Sequence, residues 1–138
     1  VTPTSDLETS GVSEGYHEFA EDFVRQGATP EDEIEKNLVG FIRGLEGDLE
    51  PEKEFILPVE NLTVRGRIDL IAKCDDEIQI YDYKLGNTES LLQLSIYHHA
   101  VDSFYSRPVE TNIYRMDTDD IHRIEPMDKK EIVDQLRN

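Results

Sequence analysis

Residues 64–84 read V-R-G-R-I-D-L-I-A-K-C-D-D-E-I-Q-I-Y-D-Y-K, two β-forming runs on either side of Asp75-Asp76. Taking those two aspartates as the centre of a tight turn makes Cys74 face Glu77, and counting back from there sets Asp69 opposite Asp82. Directly opposite residues on neighbouring strands hold their Cβ atoms roughly 4.5–5.5 Å apart, where like charges repel. Lys84 is two residues beyond Asp82 and points to the same face, because side chains alternate along a strand. Two apposed carboxylates and a lysine on one sheet face call for a compensating charge. A divalent cation held by oxygen ligands supplies it.

The flanking sequence supports a sheet with helices around it. Residues 1–12 are poor in apolar side chains and read as a flexible lead-in or linker, followed by a single domain over residues 13–138. Ser13 is expected to cap a first helix, with Tyr16, Phe19, Ala20 and Phe23 on its apolar stripe, His17 beside it and Gly27 at its end. Thr29-Pro30 followed by acids predicts a second helix bearing Ile34, Leu38, Phe41, Ile42 and Leu45. Glu54–Val59 reads as an edge strand containing Pro58. In the strand Leu62–Cys74, Val64, Ile68, Leu70 and Ala72 fall on one face and Arg67, Asp69 and Ile71 on the other, and Gly66 suggests a bulge or a close backbone approach. After Glu77–Lys84, Leu85-Gly86-Asn87 breaks the sheet. Thr88 is expected to cap a helix from Glu89 to Tyr105, on which Gln93 and Tyr97 stack one turn apart. Strands at Val109–Met116 and Ile121–Ile124 and a helix at Lys129–Arg137 complete the chain. The order α, α, β, β, β, α, β, β, α predicts an α/β fold, with a mixed central sheet of about five strands flanked by helices. The helical crossover makes the Asp82 and Val109 strands parallel.

Composition narrows the function. The 138 residues carry 31 acidic against 14 basic side chains, a net charge of −17. Nucleic-acid binders are usually basic, so this charge by itself argues against such a partner. An acidic surface with only six lysines is also what a protein bathed in molar salt carries, and there the Debye length falls to about 3 Å. A halophilic source is therefore expected, and the charge does not exclude a nucleic-acid substrate. No apolar run reaches membrane-spanning length and nothing in the first residues reads as a signal peptide, so no membrane association is expected, and with a single cysteine an intracellular, cytoplasmic setting is expected. The lone Cys74 can form neither an internal disulfide nor a cysteine-based metal cluster.

Gly66-Arg67-Ile68-Asp69, Asp82-Tyr83-Lys84 and Gln93-x-x-x-Tyr97, in that order, resemble the PD-(D/E)XK nuclease superfamily. The similarity is greatest to its RecB-like branch, with motifs G-x-x-D, D-Y-K and Q-x-x-x-Y. Gly15-Tyr16-His17 resembles that branch's helical histidine motif, at a shorter spacing. The resemblance implies a restriction-endonuclease-like fold and a metal-dependent deoxyribonuclease acting on single strands or ends in repair or recombination. It implies that Asp69, Asp82, the Tyr83 backbone carbonyl and His17 hold Mg²⁺ or Mn²⁺ and that Lys84 orients or activates the attacking water. Gln93 and Tyr97 would support the site or touch DNA. An iron–sulfur cluster of the kind some relatives carry cannot be built with one cysteine. Many relatives are fused to helicases, so a nuclease domain excised from a longer, helicase-associated chain is expected.

Plainer readings stand beside this one. An acid pair on a hairpin can be a solvated face, and Lys84 a strand-end surface lysine. His17 can be a boundary histidine, and Gln93 and Tyr97 the edge of a core helix. Glu54 is a lesser candidate for the metal site, or a surface acid. His98-His99 reads as a helix face rather than a metal site. The alternative function is a catalytically inactive nuclease-like module that binds DNA or a partner domain. A plain acidic interaction domain is the third.

Overall fold

The computed structural model describes residues 11–86 and 90–137. Its helices are α1 (Gly11–Gln26), α2 (Glu33–Arg43), α3 (Leu91–Phe104) and α4 (Lys129–Arg137). Its strands are β1 (Asp48–Val59), β2 (Leu62–Lys73), β3 (Ile78–Lys84), β4 (Val109–Arg115) and β5 (Asp120–Ile124). The five strands form one mixed sheet in the order β1-β2-β3-β4-β5. Only β3 and β4 run parallel, joined by the α3 crossover; the other neighbours are antiparallel.

The hairpin register follows the sequence count. The Cys74 N–H donates to Glu77 O at 2.9 Å across Asp75-Asp76, and the ladder pairs Lys73 with Ile78 and Leu70 with Tyr81.

Two apolar clusters sandwich the sheet. On one face Ala20 of α1 and Leu38, Phe41 and Ile42 of α2 cover Leu70, Ala72, Tyr81, Tyr83, Tyr114 and Met116. The Phe41 and Tyr114 rings stack there with centroids 3.9 Å apart. On the other face Leu94, Ile96, Tyr97, Ala100 and Val101 of α3, with Ile132 and Val133 of α4, cover Ile71, Ile78, Ile80 and Ile113. Burying both faces of β3 explains its near-continuous apolar run. Into that buried strand the sequence places Asp82 and Lys84, 4% and 7% exposed.

Several boundaries differ from the sequence expectation. The first helix begins at Gly11, so Ser13 lies inside it, and residues 1–10 of the expected lead-in lie outside the described residues. The second helix is capped by Asp32, not Thr29. The Asp32 carboxylate accepts Glu35 N–H at 2.8 Å and the Tyr16 hydroxyl at 2.8 Å, so one side chain both caps α2 and ties it to α1. The edge strand starts at Asp48 and runs through Pro51 as well as Pro58. Ser90 caps α3 by accepting Gln93 N–H, while the expected cap Thr88 and start Glu89 lie outside the described residues.

The expected irregularity at Gly66 is elsewhere. Gly66 pairs regularly with Phe55, and the disturbance is at Glu52, which has φ 51° and drops out of the ladder between Pro51↔Leu70 and Lys53↔Ile68. There the long hairpin turns over. Leu70 and Ala72 pack under α1 and α2, whereas Val64 and Ile68 join the α3 cluster, so the four do not share one face as their alternation predicts. The local break in the ladder at Glu52, opposite Asp69, is the physical cause, because alternation holds on each side of it and fails across it.

Gly47 leads into β1 with φ 86°, and a Cβ there would sit 2.5 Å from the Lys73 carbonyl oxygen at the foot of the hairpin. Gly47→Ala combines left-handed strain with a backbone clash. It is expected to lower unfolding free energy by about 2 kcal/mol or more in urea titration.

Candidate functional site

The β2–β3 ladder stops at Leu70↔Tyr81, one step short of Asp69 and Asp82. Beyond it β2 stays with β1 and β3 stays with β4, so the sheet forks. The Tyr83 N–H, which continued pairing would have satisfied with a backbone carbonyl, donates instead to Asp69 Oδ2 at 2.8 Å. Asp69 therefore stands at the crotch of the fork as a substitute rung.

From one side α1 delivers His17. Its Nδ1 lies 2.6 Å from the Ser13 carbonyl oxygen, which fixes that nitrogen as the proton-bearing one, and its Nε2 is 3.1 Å from Asp69 Oδ2. The imidazole meets the Tyr83 ring edge-on at 5.6 Å. Burial opposes its protonation, but the Asp69 carboxylate, the Ser13 carbonyl and Glu52 outweigh burial and raise its pKa to about 9. In the metal-free protein at neutral pH it is an imidazolium resting on Asp69.

From the α3 side come Asp82 and Lys84. Lys84 Nζ is 3.1 Å from Asp82 Oδ2 and donates to Gln93 Oε1 at 3.3 Å. Burial, then the charge on Asp69, raises Asp82 well above the carboxylate range. Burial, then Arg115, lowers Lys84 to about 8. The two partners of one close contact are thus pushed toward neutrality together. Asp82 Oδ2 is buried and accepts no aligned hydrogen bond, despite the nearby ammonium.

The strand geometry also aims a carbonyl. Met116 N–H donates to Lys84 O at 2.9 Å, so the Lys84 carbonyl faces β4. The next carbonyl back alternates, and that of Tyr83 faces the fork, on the side where its own N–H meets Asp69.

Gln93, 3% exposed, holds Lys84 and presents no free surface. Tyr97 lies in the core, its ring edge-on to Phe55 at 5.5 Å. Glu54 is exposed on β1. His98 bonds Thr111 Oγ1 at 3.0 Å and His99 bonds the Met127 carbonyl at 2.7 Å, so each ring serves the fold.

The acid that sequence reasoning missed is Glu52. It stands across β1–β2 from Asp69 with a side chain 13% exposed and an oxygen 3.9 Å from Arg67 Nη1. Burial, then Asp69, raises its pKa to about 7, against the opposing pull of Arg67 and His17. The signal was available: counting back from the Glu60-Asn61 turn, where Val59 pairs with Leu62, sets Glu52 rather than Glu54 opposite Asp69.

Two carboxylates, a carbonyl and an imidazole nitrogen make an oxygen-rich donor set suited to a hard divalent cation, and the orphaned Asp82 oxygen is a lone pair such an ion would satisfy. Among the described residues no group of three or more His, Cys, Asp or Glu side chains is already arranged around a metal position. His17 lies against Asp69 and Lys84 against Asp82, so each carboxylate already has a cationic neighbour.

A family model described as the PD-(D/E)XK nuclease superfamily matches residues 5–137. A search of curated proteins finds no match. Among solved structures, the chain is similar to one titled "Crystal structure of SSO0001", with 14% identity over 93% of this chain and 85% of that one and a TM-score of 0.48.

Glu52 is stabilised by protonation, so its cost to the metal-free fold is absent below about pH 4.5, grows as pH rises and is complete above about pH 7. Glu52→Gln is expected to stabilise the metal-free protein at pH 8 by about 1 kcal/mol, or roughly 4 °C in Tm. Calorimetric scans at pH 8 and pH 4 should show the gain vanish at the lower pH.

Proposed function

The chain belongs to the PD-(D/E)XK nuclease superfamily, and from that premise we propose that it is a Mg²⁺- or Mn²⁺-dependent deoxyribonuclease of the RecB-like branch. The observation that carries this reading is the fork, where Asp69 and Asp82 are apposed with His17 3.1 Å from one and Lys84 3.1 Å from the other.

In this reading Asp69, Asp82, the Tyr83 carbonyl and His17 Nε2 hold the cation. When bound, the cation polarises a phosphoryl oxygen and makes a water nucleophilic near neutral pH. His17 must release its Nε2 proton to serve as ligand, while the Ser13 carbonyl retains the Nδ1 proton and keeps the ring aimed. Lys84 stands on the face of Asp82 with Gln93 fixing its ammonium, placed to orient the attacking water and to meet charge developing on the phosphate. Hydrolysis joins the water oxygen to phosphorus, breaks the phosphorus–oxygen bond to one sugar and passes a proton to the departing oxygen.

The order of G-x-x-D, D-Y-K and Q-x-x-x-Y supports the RecB-like assignment. With it come the finer proposals: single-stranded DNA or DNA ends as substrate, repair or recombination as setting, and residues 13–138 as the nuclease domain of a helicase-associated protein. An intracellular location and a halophilic source complete the reading. No helix among the described residues is long and apolar enough to cross a membrane. The second reading, an inactive DNA- or partner-binding module, draws on the cationic neighbours that each carboxylate already has.

Cleavage of labelled single-stranded DNA separates the two. The active enzyme is stopped by EDTA and restored by Mn²⁺. Lys84→Ala is expected to cut turnover about 100-fold or more with unchanged circular dichroism. Equal cleavage by that variant would remove Lys84 from the mechanism, and no cleavage by the wild-type chain would favour the binding module.

A further inference from the structure

Between the Glu52 break and the Glu60-Asn61 turn, the β1–β2 hairpin alternates cleanly. Phe55, Leu57, Val59, Val64 and Ile68 go to the α3 cluster. The side chains between them share the opposite face, where Glu54, Ile56, Arg65 and Arg67 are exposed. Further along, α1 and α2 cover that side of the sheet at Leu70 and Ala72. The hairpin face is an open shelf that ends where these helices begin.

The shelf leads to the fork. Arg65, Arg67 and Asp69 occupy alternate positions of β2, and Asp69 meets His17 from the α1 side. Alternate strand positions are about 6.7 Å apart, a step that successive phosphates of an extended nucleotide strand can follow. Across the hairpin the two arginines have different neighbours. Arg67 lies opposite Glu54, and its Nη1 is 3.9 Å from a Glu52 oxygen, which keeps it at the fork end. Arg65 lies opposite Ile56, which is 52% exposed. A cation beside an apolar side chain offers a nucleotide a phosphate contact and a surface for its base. With a net charge of −17, most of this molecule's surface repels a polyanion. Arginines in line with the acid pair give a strand a favourable approach along this shelf.

We propose that the open hairpin face is the track for a single DNA strand on one side of the reacting phosphate, with Arg65 and Arg67 as positioning residues on successive backbone phosphates and Ile56 under a base. This rests on the nuclease reading above. The track holds the strand in register with the fork through binding energy and touches none of the reacting atoms. Glu54 stands on the same face, so it weakens the track as the arginines strengthen it.

The test is Mn²⁺-dependent cleavage of a labelled oligothymidylate across a salt series, by wild type, Arg65→Gln, Glu54→Lys and Arg123→Gln. Arg123 is on β5, beside Glu110 and away from the shelf, and serves as the control. Each phosphate neutralised on a single strand adds about 0.7 to the dependence of log affinity on log salt. Arg65→Gln is expected to lower that slope in kcat/KM by about 0.7 and to raise KM about tenfold at low salt with kcat unchanged, the mark of lost binding rather than lost chemistry. Glu54→Lys should do the reverse, steepening the slope and lowering KM. Arg123→Gln should leave both at the wild-type values. A merely structural Arg65 would lower Tm and kcat while the slope stayed put, and that result overturns the proposal. An equal change of slope in Arg123→Gln overturns it too, because the effect would then be one of net charge. Unaltered cleavage by both shelf variants would leave the face to a second copy or another protein, and likewise overturns it. No Mn²⁺-dependent cleavage by the wild-type chain would instead overturn the nuclease reading, and the track with it.

Discussion

The structure turns on the Asp69 carboxylate at the point where the sheet divides. It replaces a missing rung by accepting the Tyr83 N–H, it receives the His17 imidazole, and it faces Asp82 across the gap. A carboxylate with three such neighbours cannot be moved without loosening the fork. Pairing β2 with β3 one step further would close the gap between the two acids. The open fork therefore sets where a ligand can sit and which backbone groups it meets.

Everything around the fork is shaped by charge held in a buried place. Asp82 is pushed up and Lys84 down to about 8, and Glu52 is pushed up to about 7, each chiefly by burial. Burying three such groups beside apolar clusters is costly for a fold of this size. A doubly charged cation at the fork would reverse the sign of the problem, returning the acids to their ionised forms. The His17 imidazole and the Lys84 ammonium lie 3.1 Å from Asp69 and Asp82 as partial counter-charges.

Much of this was legible in the sequence, because a tight turn converts spacing into register. Asp75-Asp76 is enough to put Asp69 against Asp82 and Lys84 on the same face, and helical periodicity is enough to bring His17 and Gln93 onto helices that flank the strands. What was hidden depends on a break in the ladder and on side chains far apart in sequence. Alternation predicts one face for Val64, Ile68, Leu70 and Ala72, but a twelve-residue hairpin rolls over at Glu52 and divides them between two cores. A strand expected only from Glu54 starts on the far side of Pro51 and so leaves Glu52 out of view, whereas β1 begins at Asp48.

The central claim is that the Asp69–Asp82 gap is a cation site. Anomalous diffraction from crystals grown with Mn²⁺ tests it most directly. The account predicts one manganese peak bound by Asp69, Asp82 and the Tyr83 carbonyl, with His17 Nε2 turned onto the ion. A fork without manganese, in which His17 still rests on Asp69 and Lys84 on Asp82 at saturating metal, would contradict it.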